Sequence, residues 1–150
     1  MNKEEKYELL VAQIKALVEG EDDAISVMAN VSAAIQETMS FFWTGFYIDR
    51  DGELHLGPFQ GSVACFRIPH GKGVCGTACE RRETVIVPDV EAFPGHIACS
   101  SLSRSEIVVP LINNQQVRAV LDIDSTELNT FDTTDQKYLE IIAELVAEIL

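Results

Sequence analysis

Basic residues and long apolar stretches are both scarce in this 150-residue chain. Eleven lysines and arginines stand against 24 acidic residues, which gives a formal net charge of −13. Such a charge repels phosphate backbones and anionic lipid surfaces, so the composition predicts neither a nucleic-acid nor a membrane partner. No apolar run approaches the roughly 20 residues that a membrane helix needs, and the first six residues lack the apolar stretch of a secretion signal. We therefore expect one cytoplasmic domain over residues 1–150.

Cysteine is sparse too, with four positions: Cys65, Cys75, Cys79 and Cys99. In a reducing compartment such residues are not expected to form structural disulfides, which leaves metal binding, catalysis or packing. All four lie between residues 61 and 104, where five basic side chains accompany four acidic ones. Because nearby cations lower the pKa of a thiol, this segment favours an activated cysteine. For any single cysteine, packing in the core is as good an explanation as reactivity. For all four cysteines in one segment, packing is the poorer explanation.

A structural zinc site is another use of closely spaced cysteines. Such sites combine two pairs of ligands, and the members of a pair are usually two to four residues apart. Cys75 and Cys79 have this spacing. Neither a second cysteine pair nor a matching histidine pair follows them, so we predict no bound metal.

Hydrophobic periodicity predicts three long helices. Apolar residues recur at helical spacing over residues 7–18, 25–39 and 138–149. Gly20 stands where a C-terminal cap is expected, and Thr133 starts a capping-box spacing before the last helix. Two helices therefore open the chain and a third closes it.

Short strands with turn signals fill the interval between these helices. In chain order the predicted segments are strands at 42–48, 54–56, 65–68, 84–87, 107–112 and 117–123, a short helix at 74–82 and an irregular loop at 89–103. Asp51-Gly52 and Asn113-Asn114 are the expected hairpin turns. The order of elements predicts an α+β fold, in which an antiparallel sheet of about six strands carries the N- and C-terminal helices on one face.

Three acidic residues are predicted to converge at one end of the second hairpin. Asp122 and Asp124 are two residues apart and point to the same face of a strand. A turn at 113–114 places Glu106 opposite position 121, and a bulge near Pro110 would bring it beside the two aspartates. A lone acid at a strand end is usually only solvated. Three together would bind an ammonium group, or raise the pKa of one member until it can donate a proton.

Three aromatic residues lie at the entry to the sheet. Trp43 and Tyr47 are four residues apart and share one strand face, so they can line a pocket for an apolar ligand group. Phe46 points to the opposite face, and we expect it to pack in the core.

Several short segments carry a resemblance to a known family: WTGFY at 43–47, LGPFQG at 56–61, GVCGTA at 73–78, GHIAC at 95–99, SEIVVPL at 105–111 and VLDIDS at 120–125. Together they resemble the free methionine-(R)-sulfoxide reductases, which are single GAF domains, and the similarity covers essentially the whole chain. A general GAF sensor domain would share the last two segments without the cysteines at 65, 75 and 99.

The resemblance implies a cysteine redox cycle. Cys99 would attack the sulfur of free methionine (R)-sulfoxide, release methionine and become a sulfenic acid. Cys65 or Cys75 would then form a disulfide with it, and thioredoxin would reduce that disulfide. Cys65 is the favoured partner, and Cys79 lies outside the family's pattern. Neither a metal nor an organic cofactor is implied.

The resemblance also implies roles for residues that contact the substrate. Glu106 and Asp124 would polarise the sulfoxide oxygen, and Asp122 would hold the ammonium group. Trp43 and Tyr47 would enclose the methyl end of the substrate.

The substrate carboxylate requires hydrogen-bond donors of its own. We expect them to be the backbone N–H groups of Val74 and Cys75, at the start of the predicted short helix. Two other functions remain open at this point, namely a GAF domain that senses a small molecule without converting it and a thiol switch based on Cys99. A homodimer formed through the terminal helices is also compatible with their apolar stripes.

Overall fold

The computed structural model describes residues 1–150 and confirms the predicted α+β fold. The strands are β1 (Trp43–Arg50), β2 (Glu53–Gln60), β3 (Arg67–Pro69), β4 (Val85–Val87), β5 (Ser105–Asn113) and β6 (Gln116–Ser125). The helices are α1 (Lys3–Val18), α2 (Ala24–Met39), α3 (Gly73–Arg81) and α4 (Thr133–Ala147). The six strands form one antiparallel sheet in the order β3-β2-β1-β6-β5-β4. None of the helices has the combination of length and apolar composition that crossing a membrane requires.

The two faces of the sheet pack against different partners. Helices α1, α2 and α4 cover one face, as predicted, and Phe46, Ile107 and Leu121 point into that main core. Neighbouring residues of a strand point to opposite faces, so Val108 and Val120 belong to a second, smaller cluster with α3. The large core therefore stabilises the sheet from one side, which leaves the side of α3 to form a site.

The register of β5 and β6 places Glu106 directly opposite Asp124. The hairpin turn lies at Asn114 and Gln115, both with positive φ, and so it begins one residue later than predicted. The bulge expected near residue 110 lies at 111–112. The later turn moves the partner of Glu106 two positions along β6 from the simple register, and the bulge moves it one position further, to Asp124. Glutamine rarely adopts positive φ, so the sequence carried no signal for this turn.

Other element boundaries differ from the predicted ones as well. Strand β3 begins at Arg67 rather than at Cys65, whose carbonyl instead accepts a hydrogen bond from the Tyr47 hydroxyl. Strand β2 continues to Gln60, past the Gly-Pro pair expected to end it, by means of a bulge opposite β1. The N-cap of α4 is Asp132, one residue before the predicted start of the capping box.

Asp135 ties the N-terminal helix to the C-terminal one. Its side chain is fully buried and accepts hydrogen bonds from the Tyr7 hydroxyl at 2.5 Å and from Lys3 Nζ at 2.7 Å. It also accepts from the backbone N–H of Asp132, which completes a capping box. Above this node the rings of Tyr7 and Tyr138 stack with their centroids 5.3 Å apart. A buried carboxylate with three donors therefore stabilises the α1–α4 contact.

We predict that Asp135→Ala lowers the free energy of unfolding by about 3 kcal/mol, because it leaves the Tyr7 hydroxyl and the Lys3 ammonium without their buried acceptor. Urea unfolding followed by circular dichroism measures this change. Asp132→Ala is the matched control, since it removes an exposed cap and only the longer, exposed contact with Lys3, and it should cost about 1 kcal/mol. Equal losses of unfolding free energy in the two variants would contradict the assignment of Asp135 as the central acceptor of these hydrogen bonds.

Candidate active site

A pocket of about 510 Å³, its mouth included, lies on the face of the sheet that α3 covers. Strands β1, β5 and β6 form its floor, the start of α3 forms one wall, and the loop after β4 forms another. Its lining includes Trp43, Tyr47, Val74, Cys75, Cys99, Glu106, Asp122 and Asp124. The pocket lining thus contains all the predicted site residues except Cys65, which is bonded to one of them, Cys99.

Three carboxyl groups form the polar floor of the pocket. Asp122 and Asp124 come from β6 and Glu106 from β5, and Glu106 and Asp122 are buried. Burial raises the pKa of Glu106 well above its ordinary value, and repulsion from Asp122 and Asp124 adds to the shift. Burial and then Asp122 likewise raise the pKa of Asp124 well above its usual range. Glu106 and Asp124 therefore retain their protons to higher pH than exposed acids do.

Asp122 differs from its two neighbours. Burial raises its pKa, but hydrogen bonds from Glu106 and Cys75 oppose that rise, which makes Asp122 the member that ionises most readily. Its Oδ1 atom is buried and has no hydrogen-bond partner in the structure. A buried carboxylate oxygen without a donor is costly, so this atom is a natural acceptor for a ligand's ammonium group.

The aromatic residues form a stacked wall beside the acids. The Trp43 ring lies 5.1 Å from that of Phe59 and 6.1 Å from that of Tyr47, measured between centroids. Trp43 Nε1 donates to the carbonyl of Ser62. Gly61 adopts a φ of +140°, and a Cβ there would lie 2.5 Å from the Trp43 ring, so this position requires glycine. As predicted, Trp43 and Tyr47 share one face, while Phe46 is fully buried in the main core.

The N-terminus of α3 points its first turn toward the pocket. Gly73 has a φ of +60°, and its N-cap, Lys72, makes no side-chain hydrogen bond to the helix. The N–H groups of a first turn have no partner within the helix, and they attract anions. Val74 and Cys75 lie in this turn and line the pocket. Their backbone N–H groups are thus available to a ligand carboxylate.

The cysteines occupy four different environments. Cys65 and Cys99 form a disulfide, which is the pairing that the resemblance favoured, and Cys99 lines the pocket. Cys75 is a buried free thiol, and its pKa is raised by burial and by Asp122, so it holds its proton. Cys79 lies outside the pocket, where burial and then Asp49 raise its pKa to about 11.

Two groups of side chains could supply ligands to a metal ion. Cys75, Glu106 and Asp122 form one of them, with ligand atoms within 4.8 Å of one another. The other consists of residues 49, 70 and 79, none of which lines the pocket. A thiolate ligand requires loss of the thiol proton, which the raised pKa of Cys75 and of Cys79 opposes. That no metal binds remains a prediction.

His96 is a pocket residue that the sequence did not single out as a site residue. Its Nε2 atom lies 4.0 Å from Glu106 Oε1, and burial lowers its pKa, which favours the neutral ring. Two signals were its position within the segment that carries the cysteines and its place in GHIAC at 95–99, one of the segments that resemble the family. Ile97, the next residue, packs against Gly73 and fixes the loop to α3.

The chain is similar over nearly its whole length to proteins of one family. The GAF domain family matches residues 21–150. A free methionine-R-sulfoxide reductase of Escherichia coli is 46% identical, over 97% of this chain and 89% of that protein. GAF domain-containing protein A of Dictyostelium discoideum is 56% identical, over 97% of this chain and 92% of that protein. The X-ray structure of a Neisseria meningitidis free methionine-R-sulfoxide reductase in complex with its substrate matches with a TM-score of 0.97, at 46% identity and over 99% and 90% of the two chains.

We predict that Glu106→Gln stabilises the fold more at pH 8 than at pH 4. A buried acid with a raised pKa binds its proton more tightly in the folded state than in the unfolded one. The contribution of Glu106 to the free energy of unfolding is therefore fully present below the ordinary glutamate pKa of about 4.3. This contribution is lost as the pH rises toward the raised pKa of the folded state. The glutamine variant removes this dependence. Melting temperatures of both proteins across this pH range test the prediction, which an identical pH dependence would refute.

Proposed function

The chain belongs to the GAF-domain family of free methionine-R-sulfoxide reductases, and we propose that it reduces free L-methionine (R)-sulfoxide to L-methionine. One observation carries the proposal: a single pocket contains both Cys99 and the acids Glu106 and Asp124, whose pKa values are raised by burial and by neighbouring carboxyl groups. Sulfoxide reduction by a thiol requires a nucleophilic sulfur and a proton donor for the departing oxygen, and this pocket offers both.

The first chemical step forms a bond between two sulfur atoms. The Cys99 thiolate attacks the sulfoxide sulfur, and Glu106 or Asp124 protonates the oxygen bound to it. The hydroxyl group then moves from the substrate sulfur to the Cys99 sulfur while the new sulfur–sulfur bond breaks, so methionine leaves with two more electrons and Cys99 becomes a sulfenic acid. A raised carboxyl pKa is an advantage here because an ionised acid cannot donate a proton.

The second step closes the disulfide that the structure contains. The Cys65 sulfur attacks the sulfenic sulfur of Cys99, and the hydroxyl group leaves as water. A dithiol then supplies two electrons and two protons to reduce the disulfide, and we propose thioredoxin as this reductant. Cys75 is less suited to the role of resolving thiol, because its raised pKa leaves little thiolate.

The pocket also accounts for a preference for the free amino acid. The unpartnered Oδ1 of Asp122 would accept from the substrate ammonium. The N–H groups of Val74 and Cys75 would donate to its carboxylate. A methionine within a protein has amides in place of both charged groups, so it would lose the charge that strengthens the hydrogen bonds to Asp122 and to the helix N-terminus. Trp43 and Tyr47 would then enclose the methylsulfinyl end.

Several wider predictions remain part of this proposal. A cytoplasmic location suits a cycle that depends on a cellular dithiol. Residues 1–150 would act as one domain, since α1, which lies outside the matched range, packs against α4. A homodimer through the terminal helices also stays a prediction. A small-molecule sensor is the alternative function, and a pocket that binds the sulfoxide without converting it would identify one.

We predict that the wild-type chain forms methionine from the free R epimer with dithiothreitol as reductant, and that Cys99→Ser abolishes this activity because it removes the nucleophile. Chromatography of free methionine measures it. The S epimer and peptide-bound sulfoxide should stay unreacted. Cys79→Ser is the matched control and should retain activity, since Cys79 lies outside the pocket. Turnover by Cys99→Ser would exclude the assigned nucleophile, and no turnover by the wild type would favour the sensor.

We predict that excess R-sulfoxide without reductant leaves two of the four thiols of the reduced wild type titratable, because the other two form the Cys65–Cys99 disulfide. In Cys65→Ser the sulfenic acid should persist at Cys99 and react with dimedone, which mass spectrometry detects. Cys79→Ser, the matched control, should still form the disulfide. Efficient disulfide formation in Cys65→Ser would instead assign the resolving role to Cys75.

A further inference from the structure

Three exposed apolar side chains flank the Cys65–Cys99 disulfide. Val63 and Phe66 lie two residues before and one after Cys65, with exposed fractions of 86% and 79%. Leu102, 60% exposed, lies three residues after Cys99. Consecutive Cα atoms are about 3.8 Å apart, so each of the three lies within roughly 11 Å of a disulfide cysteine. We call these three residues the apolar rim.

Hydrogen bonds hold the backbone of the rim segment around Cys65, which carries Val63 and Phe66. Trp43 donates to the carbonyl of Ser62, the Tyr47 hydroxyl donates to that of Cys65 at 2.9 Å, and the N–H of Leu56 donates to that of Phe66. The side chains of Val63 and Phe66 are thus held in solvent by a backbone that is itself well bonded. Exposed apolar groups gathered at one place are typical of surfaces that contact a partner.

The two sulfur atoms of the disulfide face different surroundings. Cys99 lines the pocket with the acids, whereas Cys65 does not line it. A thiolate that approached Cys99 through the pocket would meet the carboxyl groups of Glu106, Asp122 and Asp124. Val63 of the rim also lines the pocket, but Phe66 and Leu102 do not, so a thiolate that approached Cys65 past these two residues would avoid the acids. The outer route is therefore the one open to a large anionic nucleophile.

The charge of this region is also compatible with an approaching protein. Residues 61–104 carry five basic and four acidic side chains, although the chain as a whole has a net charge of −13. Arg67 follows Phe66 directly and is exposed. Residues 61–104 therefore lack the excess of acidic side chains that the rest of the chain carries, and a reductant that approaches Cys65 through them meets little repulsion.

From these observations we propose that the apolar rim is the docking surface of a protein dithiol reductant, and that the reductant's thiolate attacks Cys65. The inference rests on the proposed function. The attack forms a mixed disulfide with Cys65 and releases Cys99 as a thiolate, already directed toward the substrate pocket. The second thiol of the reductant then attacks its own mixed-disulfide sulfur, which releases Cys65 and leaves the reductant oxidised.

Steady-state kinetics with two reductants test the docking surface. Phe66→Ser and Leu102→Ser should together raise the KM for thioredoxin about tenfold, because each removes apolar area that the partner would bury. Turnover with dithiothreitol should stay within about twofold of wild type, since neither side chain lines the pocket. Ile25→Ser is the matched control: Ile25 is 53% exposed and lies on α2, on the opposite face of the sheet.

Trapping tests which sulfur is attacked. Thioredoxin whose second active-site cysteine is replaced by serine should form a stable mixed disulfide with the oxidised chain, and peptide mapping should locate it at Cys65. An adduct at Cys99, or rim variants with an unchanged KM for thioredoxin, would overturn the inference. Absence of sulfoxide turnover by the wild-type chain with dithiothreitol would instead count against the proposed function. The trapping experiment uses the purified disulfide form, so its result does not depend on sulfoxide turnover.

Discussion

The adjacency of three carboxyl groups on β5 and β6 is the constraint on which the rest of the site depends. The register that pairs Glu106 with Asp124 also puts Asp122 on the same face, two residues along its strand. Water would separate and ionise such groups, but here burial and mutual repulsion raise the pKa of Glu106 and of Asp124. The arrangement opposes ionisation and hence favours the neutral, proton-donating form that sulfoxide chemistry needs.

A strained polar cluster of this kind needs stability from elsewhere in the molecule. The opposite face of the same strands provides it, since residues such as Ile107 and Leu121 pack into the large core with α1, α2 and α4. Each strand thus contributes alternate side chains to the core and to the site. The node around Asp135 closes the helical layer through satisfied hydrogen bonds. The protein therefore separates the side chains that stabilise it from those that perform chemistry.

The sequence was sufficient for the parts of the structure that depend on periodicity. The helices and the face shared by Trp43 and Tyr47 follow from spacings of 3.6 and 2 residues, whereas the position of Glu106 beside the aspartates depends also on the turn and the bulge of the hairpin. It was insufficient where one residue decided the geometry. The turn at Gln115 requires an unusual φ that composition does not reveal, and His96 reaches the pocket through a loop without periodicity. The assignment of the redox pair came from resemblance to a family, because chain spacing alone does not pair cysteines.

The same acid cluster also explains why the cysteines near it cannot be interchangeable. Burial and nearby negative charge both oppose the ionisation of a thiol. The pKa of Cys75 is raised by burial and then by Asp122, whose carboxylate lies within 4.8 Å of the Cys75 sulfur. A resolving thiol must form a thiolate quickly, so it has to lie within reach of Cys99 but away from the acids. Cys65 meets both conditions, because its backbone is held by Tyr47 at the outer side of the pocket while its sulfur reaches Cys99. The acids that donate a proton during sulfoxide reduction therefore require the resolving thiol to lie outside the acidic pocket. The same position of Cys65 makes the disulfide accessible to a reductant.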